Sequence, residues 1–353
     1  MLTFAELFMG GGGAGLGLKE AGFKSIWGIE RDPKIARVAQ ANFPDSLVIN
    51  RCISDINPRG LKPVDLLWMS PPCQQYSNAR RGANANHKDK DAGLYCLPYL
   101  SALMPRWVIL ENVPAYLGSP AFGKILERLK LLGCRYHHQI LNASDYGVPQ
   151  NRKRLIMIAS AKGEKLPWFH FPGRRVGWYE AIAHLIPSLP DSKLADWQLK
   201  RLQEVQDRFT GIDLIDSGKN TTRLATVNAA PEPSFTITTD HINSHAPLVL
   251  MPRAGANIKS VVPSLANEPC PTIRAFTEGG HTHWADVIDF RDDLIIKQVT
   301  PEATARLQTF PDGYKFPESK TLSQQIIGNA VPPLLAKELG LAILKSINLY
   351  EDN

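Results

Sequence analysis

Near the start of the chain the apolar run Thr3–Phe8 gives way to Met9-Gly10-Gly11-Gly12-Gly13-Ala14-Gly15-Leu16-Gly17. Few other features restrict a fold so strongly. Glycines allow positive φ and a close approach of backbone to ligand, and the helix that follows offers free N–H groups at its first turn. Gly10, Gly12 and Gly15 match G-x-G-x-x-G, and Glu30 closes a second apolar run at Ser25–Ile29. An acidic side chain there can accept hydrogen bonds from ribose hydroxyls. Asp55-Ile56 adds an acidic group where an adenine amine could be held. These residues predict a nucleoside-cofactor site. Taken alone, they suit a nicotinamide dinucleotide as well as S-adenosylmethionine.

The rest of the first half extends the pattern. Leu66–Met69, Trp107–Leu110 and Leu155–Ala159 read as further strands. Gly15–Ala21, Pro33–Asn42 and Phe122–Leu132 read as helices, Pro33 being suited to a first helical turn. Strands alternating with helices predict an α/β fold with a doubly wound, mostly parallel sheet. After Phe171 the chain turns to Pro, Gly, Thr, Asn and His, with short runs such as Ser234–Thr238. A helical pattern resumes over Gln324–Leu349. The predicted organisation is a catalytic domain from 1–172 plus 323–353, and a smaller, loop-rich domain over 173–322.

Composition narrows the partner. At 44% hydrophobic and 21% charged the chain is globular rather than disordered. No apolar run approaches the ~18 residues of a membrane span, and no basic segment precedes an apolar signal core, so a cytoplasmic location is expected. Cys52, Cys73, Cys96, Cys134 and Cys270 are scattered, without C-x-x-C, which favours a reducing compartment. Residues 1–172 carry 22 Lys and Arg against 13 Asp and Glu, a balance of +9 within a total of +6. The positive charge therefore lies wholly in the first half. Part of it clusters at Arg80, Arg81, Lys88 and Lys90, and part at Arg152, Lys153 and Arg154.

Three blocks carry chemistry. Pro71-Pro72-Cys73-Gln74-Gln75-Tyr76-Ser77 follows a strand, at the end where open α/β sheets place their sites. The cations after Cys73 favour a thiolate, whereas the other four cysteines read as small buried hydrophobes. Glu111-Asn112-Val113-Pro114 ends the next strand, and desolvation there could keep Glu111 protonated as a general acid requires. Gln150-Asn151-Arg152-Lys153-Arg154 opens the strand Leu155–Ala159. Alternate residues of an extended chain point the same way, so Arg152 and Arg154 are expected to face one site.

In this order, F-x-G-x-G-G, P-P-C-Q, E-N-V and Q-x-R-x-R resemble the DNA cytosine-5 methyltransferases. Arg306-Leu307-Gln308-Thr309-Phe310-Pro311 and Gly328-Asn329-Ala330-Val331-Pro332-Pro333 extend the resemblance. It implies a Rossmann-like S-adenosylmethionine-dependent methyltransferase sheet and leaves a hydride-transferring enzyme no use for the cysteine, glutamate and arginines. By resemblance, Cys73 is the thiolate that adds to carbon 6 of a flipped cytosine. Glu111 contacts ring nitrogen 3, and Arg154 with Arg152 lies near the base's carbonyl oxygen and the neighbouring backbone. Phe8, Gly10, Gly12, Gly13, Glu30, Asp55, Ile56, Pro72 and Asn329 form the cofactor pocket. Gln74 and Ser77 belong to a loop that closes on double-stranded DNA, and Arg80, Arg81, Lys88 and Lys90 beside it are expected to contact phosphates. Glu6, Arg31 and Tyr76 depart from the commoner Asp, apolar or aromatic residue, and Phe.

The resemblance also makes the region after residue 172 a target recognition domain. Its candidate base-reading residues are Thr238, Thr239, His241, Asn243, Arg274, Thr277 and His281. His241/His245 and His281/His283 lack the companion cysteines or carboxylates of a metal site, so none is expected. A monomer is expected, with no membrane partner and with a cognate restriction endonuclease acting separately. RNA as substrate, and a catalytically idle relative, stand as alternatives.

Overall fold

The computed structural model describes residues 1–72, 92–169, 175–191 and 295–348, together with 249–252, 264–265, 269–270, 273 and 285–289. The strand expected at Ser234–Thr238 lies outside these residues.

The chain begins with β1 (Thr3–Leu7), α1 (Gly13–Glu20), β2 (Lys24–Ile29), α2 (Pro33–Asn42) and β3 (Leu47–Ile49). It continues through β4 (Leu66–Met69), α3 (Cys96–Leu103), β5 (Trp107–Asn112), α4 (Pro120–Leu131), β6 (Arg135–Asn142) and β7 (Lys153–Ser160). Local chemistry starts the helices where the sequence suggests. Asp32 caps α2 by accepting from the Lys34 and Ile35 N–H groups, with Pro33 in the first turn. Ser119 caps α4 in the same way through Phe122 N.

The seven strands form one sheet in the order β3-β2-β1-β4-β5-β7-β6. Neighbours from β3 to β5 are parallel, whereas β7 runs antiparallel to both β5 and β6. Period-two alternation splits the core between the two faces. Leu67, Met69, Val108 and Leu110 pack under α3 and α4 with Tyr99, Phe122 and Ile125. Leu66, Trp68, Trp107 and Ile109 pack on the other face with Ala14 and Leu18 of α1. Each fully buried large side chain contributes about 1.5–3 kcal/mol of transfer free energy, so the sheet is a stiff platform for its loops.

The second part contains α5 (Trp178–Ile182), and β8 (Val249–Pro252), β9 (Ser264–Leu265), β10 (Ala285–Asp289) and β11 (Ile295–Gln298). These strands make an antiparallel sheet in the order β11-β10-β8-β9. The chain returns through α6 (Pro301–Leu307), α7 (Lys320–Asn329) and α8 (Pro333–Asn348). Trp178, Ile182, Cys270, Ile273, Val299, Leu307 and Phe310 share one core with Ile326 and Ile327 of α7. Leu335, Ala336, Leu339 and Ile343 of α8 complete the sheet face on which α1 lies.

Two expectations are amended. The single helical pattern expected over Gln324–Leu349 is two helices, α7 ending at Asn329 and α8 starting at Pro333. Taken across α7, the break at 330–332 and α8, Lys320–Ile347 also has the length and mean apolarity of a membrane span, which qualifies the expectation drawn from unbroken apolar runs. However, 72% of its most apolar window is buried inside the protein, so the apolarity serves the core.

Candidate active site at the carboxyl edge of the sheet

Parallel strands bring their C-terminal ends to one edge, and the candidate residues lie there. Phe8 follows β1, Glu30 follows β2, Asp55 and Ile56 follow β3, Pro72 follows β4, and Glu111 is the last residue but one of β5. Because β7 is antiparallel, its start rather than its end arrives beside them. Asn112 pairs in register with Leu155.

At the glycine loop, Phe8 sits at φ 60, a strained value for a residue with a side chain. Gly10 has φ 56, and a Cβ added there would meet nothing within 4 Å, so its backbone borders open space. Gly12, at φ 82, caps α1, and its missing Cβ would lie 2.3 Å from the Phe43 ring. Any side chain at Gly12 would clash and be strained together.

Glu30 is oriented by two backbone donors. Gly10 N reaches Oε2 at 2.9 Å and Asp32 N reaches Oε1 at 2.8 Å. Burial raises its pKa above the usual carboxylate value, and these two N–H groups oppose that shift. From behind, the Tyr314 hydroxyl donates to Gly11 O at 2.6 Å. Sequence reading did not single out Tyr314. Its only local sign was an aromatic after Pro311.

Glu6 lies beneath α1 and accepts from Gly15 N at 3.2 Å through Oε1. Among the described residues its Oε2 has no hydrogen-bond partner. Burial pushes its pKa up from 4.5 to about 8, with the Gly15 N–H opposing. The folded protein therefore favours the neutral acid. This contribution to stability is complete below about pH 4.5 and is lost progressively as the pH rises to about 8. Glu6→Gln, which stays neutral, should gain unfolding free energy relative to wild type across that window, by a few kcal/mol in total. Urea unfolding from pH 5 to 9 tests this. A difference between the two proteins that stays constant with pH would refute it.

On the catalytic side, Glu111 is buried and its Oε1 pairs with Arg154 Nε at 3.0 Å. Arg154 Nη1 also donates to Lys153 O at 2.7 Å. The adjacent Asn112, part of the E-N-V block but given no role of its own there, donates from Nδ2 to Pro71 O at 2.9 Å. That bond ties the entrance of the Pro71-Pro72-Cys73 loop to β5.

The expectation that Arg152 and Arg154 face one site does not hold. Arg152 precedes the ladder, which opens at Lys153, so strand alternation does not govern it. It is 2% exposed, and donates to Ile273 O at 3.1 Å, Gly328 O at 3.1 Å and Ala330 O at 2.9 Å. Between those last two carbonyls Asn329 is exposed. Cys73, Gln74, Ser77, Arg80, Arg81, Lys88 and Lys90 lie outside the described residues. So do Thr238, Thr239, His241, Asn243, His245, Arg274, Thr277, His281 and His283.

The architecture is a doubly wound sheet with an acid–arginine pair at its carboxyl edge. Solved structures share the fold over nearly their whole length. A Spodoptera frugiperda DNMT2 variant gives a TM-score of 0.62 at 17% identity, covering 98% of this chain and 100% of that one. The chain belongs to the C-5 cytosine-specific DNA methylase family, which matches residues 2–345. It is 27% identical to the type II methyltransferase M1.HphI of Haemophilus parahaemolyticus, over 98% of this chain and 87% of that protein. It is 29% identical to the type II methyltransferase M.DdeI of Desulfomicrobium norvegicum, over 100% and 91%. The protein is a DNA cytosine-5 methyltransferase.

Proposed function

We propose that the protein methylates a cytosine flipped out of duplex DNA, using S-adenosylmethionine and a covalent adduct to Cys73. The observation that carries this reading is the Glu111–Arg154 pair beside the Pro71–Pro72 entrance to the cysteine loop. The glycine loop and Glu30 open on the same sheet edge.

The residues fit an adenosine-bearing cofactor. Gly10 borders open space, and Glu30 has lone pairs left for ribose hydroxyls after accepting two N–H groups. Phe8, Gly12, Gly13, Ile56 and Pro72 would form its walls, and Asp55 and Asn329 would offer polar contacts. When bound, S-adenosylmethionine supplies an electrophilic methyl group for carbon 5.

Carbon 5 of cytosine is a weak nucleophile. The Cys73 thiolate adds to carbon 6, and the electrons of the 5,6 double bond move toward carbon 5. Glu111 holds a proton at ring nitrogen 3, which offsets the negative charge that would otherwise build in the ring. Arg154, the partner of Glu111 in the free protein, donates near the base's carbonyl oxygen. After methylation the carbon 5 proton leaves, the carbon–sulfur bond breaks and the double bond is restored. Arg152 supports this site rather than touching the base. Gln74, Ser77, Arg80 and Arg81 meet the DNA, with Thr239 and Arg274 among the base-reading candidates of a domain over 173–322.

The type II names of its relatives support a restriction–modification role, with a separate endonuclease. We infer a monomer acting on DNA in the cytoplasm. The test is bisulfite sequencing of a methylation-free host that expresses the protein, beside transfer of labelled methyl to duplex DNA and to tRNA. One recurrent methylated DNA word is expected. Label in tRNA alone would overturn the reading in favour of RNA, and label in neither would indicate an idle relative.

A further inference from the structure

Among the described residues, Gln150, Arg152 and Gln308 are buried polar side chains that the chemistry just described does not use. Gln150 and Gln308 are each 0% exposed. They form one cluster. Gln150 donates from Nε2 to Gln308 Oε1, and accepts at its own Oε1 from Ile273 N at 3.2 Å. Gln308 Nε2 donates to Ile327 O at 2.9 Å and to Ala330 O at 3.1 Å. Arg152 bridges the same two segments, at Ile273 O on one side and at Gly328 O and Ala330 O on the other.

The cluster therefore grips the peptide at Ile273 by both its N–H and its C=O. It also grips three carbonyls around the exposed Asn329. Nearby, Cys270 bonds the chain on either side, with Cys270 N to Pro149 O at 2.9 Å and Asn151 N to Cys270 O at 2.7 Å. The residue after Gln308 adds a second sign that this position is held. Thr309, β-branched, sits at φ 65, and its hydroxyl accepts from Leu334 N at 3.1 Å. Such backbone costs about 1–3 kcal/mol and persists only where the surroundings impose it.

We infer that Gln308 is a positioning residue that couples the DNA-reading region, through Ile273, to the turn presenting Asn329 to the cofactor. This rests on the assignment of S-adenosylmethionine and duplex DNA to this protein. The physical basis is the cost of unpaired polar groups in a dry interior. With either segment displaced, a guanidinium and two amides would lose partners together, so the two segments seat as one unit. Binding that orders one segment then assists the other, and linkage makes the effect reciprocal.

The test uses the full chain, S-adenosylhomocysteine as the cofactor probe, and a duplex carrying the methylated word from bisulfite sequencing. Calorimetry gives the Kd of the probe with and without DNA. In wild type, DNA should tighten the probe at least about fivefold. In Gln308→Met, and separately in Gln150→Met, that ratio should fall to near one. A merely structural loss would weaken both arms alike and keep the ratio.

Hydrogen exchange on wild type covers the case in which neither variant folds. DNA should slow exchange at 327–330 as well as at 270–273. A wild-type ratio near one, a ratio retained in the variants, or protection confined to 270–273 would overturn the inference. Failure of wild type to bind the probe at all would instead count against the cofactor assignment.

Discussion

Cys73→Ser is expected to lose methyl transfer by on the order of 10³-fold or more, since a serine hydroxyl is a far weaker nucleophile than a thiolate. The expectation rests on the Pro71-Pro72-Cys73 order and on the edge at which the described part of that loop begins. Pro71 is buried at the end of β4 and is fixed by Asn112. The variant should still bind S-adenosylhomocysteine with a Kd within about twofold of wild type, because no described cofactor residue is changed. A second measurement separates nucleophile from bystander. Duplex DNA with 5-fluorocytosine at the target should leave wild type in a complex that survives denaturing electrophoresis, because fluorine at carbon 5 blocks release. Cys73→Ser should leave none. Intact transfer by the variant would remove Cys73 from the mechanism.

Glu111→Gln should lower kcat by roughly 10²–10⁴-fold, the range for losing a positioned proton donor. Glutamine keeps the shape and an acceptor oxygen for Arg154, so the variant isolates the proton from the packing. The pair is mostly enclosed, with side chains 12% and 10% exposed, and exchanging a charged acceptor for a neutral one should cost about 1–3 kcal/mol of stability. Thermal unfolding checks the second figure, and single-turnover kinetics with saturating cofactor checks the first. A full-rate variant would mean that ring nitrogen 3 needs no proton from Glu111.

Much of this was legible in the residues, for local reasons. The glycine loop and α2 announced themselves through turn and cap chemistry within a few positions, and β4 and β5 through short apolar runs. Other elements carried no such sign. Leu47–Ile49 is only three residues long, and β6 presents Arg135, His138 and Gln139 to solvent at the sheet's edge. Leu100 and Tyr99 gave α3 no clear polar face because the helix is largely covered.

Arg152 shows the limit most plainly. Its partners lie 121, 176 and 178 residues away, and only the folded chain brings those carbonyls together. A local rule for extended chains could not anticipate that competition. Arg154, two positions on, obeyed its own neighbourhood and met Glu111.

The packing of α8 on α1 has a consequence for synthesis on the ribosome. Leu18 and Ala14 leave the ribosome long before their partners Leu335 and Leu339, which lie more than 300 residues further along. At roughly 5–20 residues per second, the interval is on the order of tens of seconds. Throughout it the first helix presents an uncovered apolar face, and the Gly11 carbonyl lacks the Tyr314 hydroxyl. A nascent chain halted before residue 314 thus carries the glycine sequence without the scaffold that shapes it. The shape of that loop therefore depends on a residue 303 positions further along the chain as well as on its own glycines.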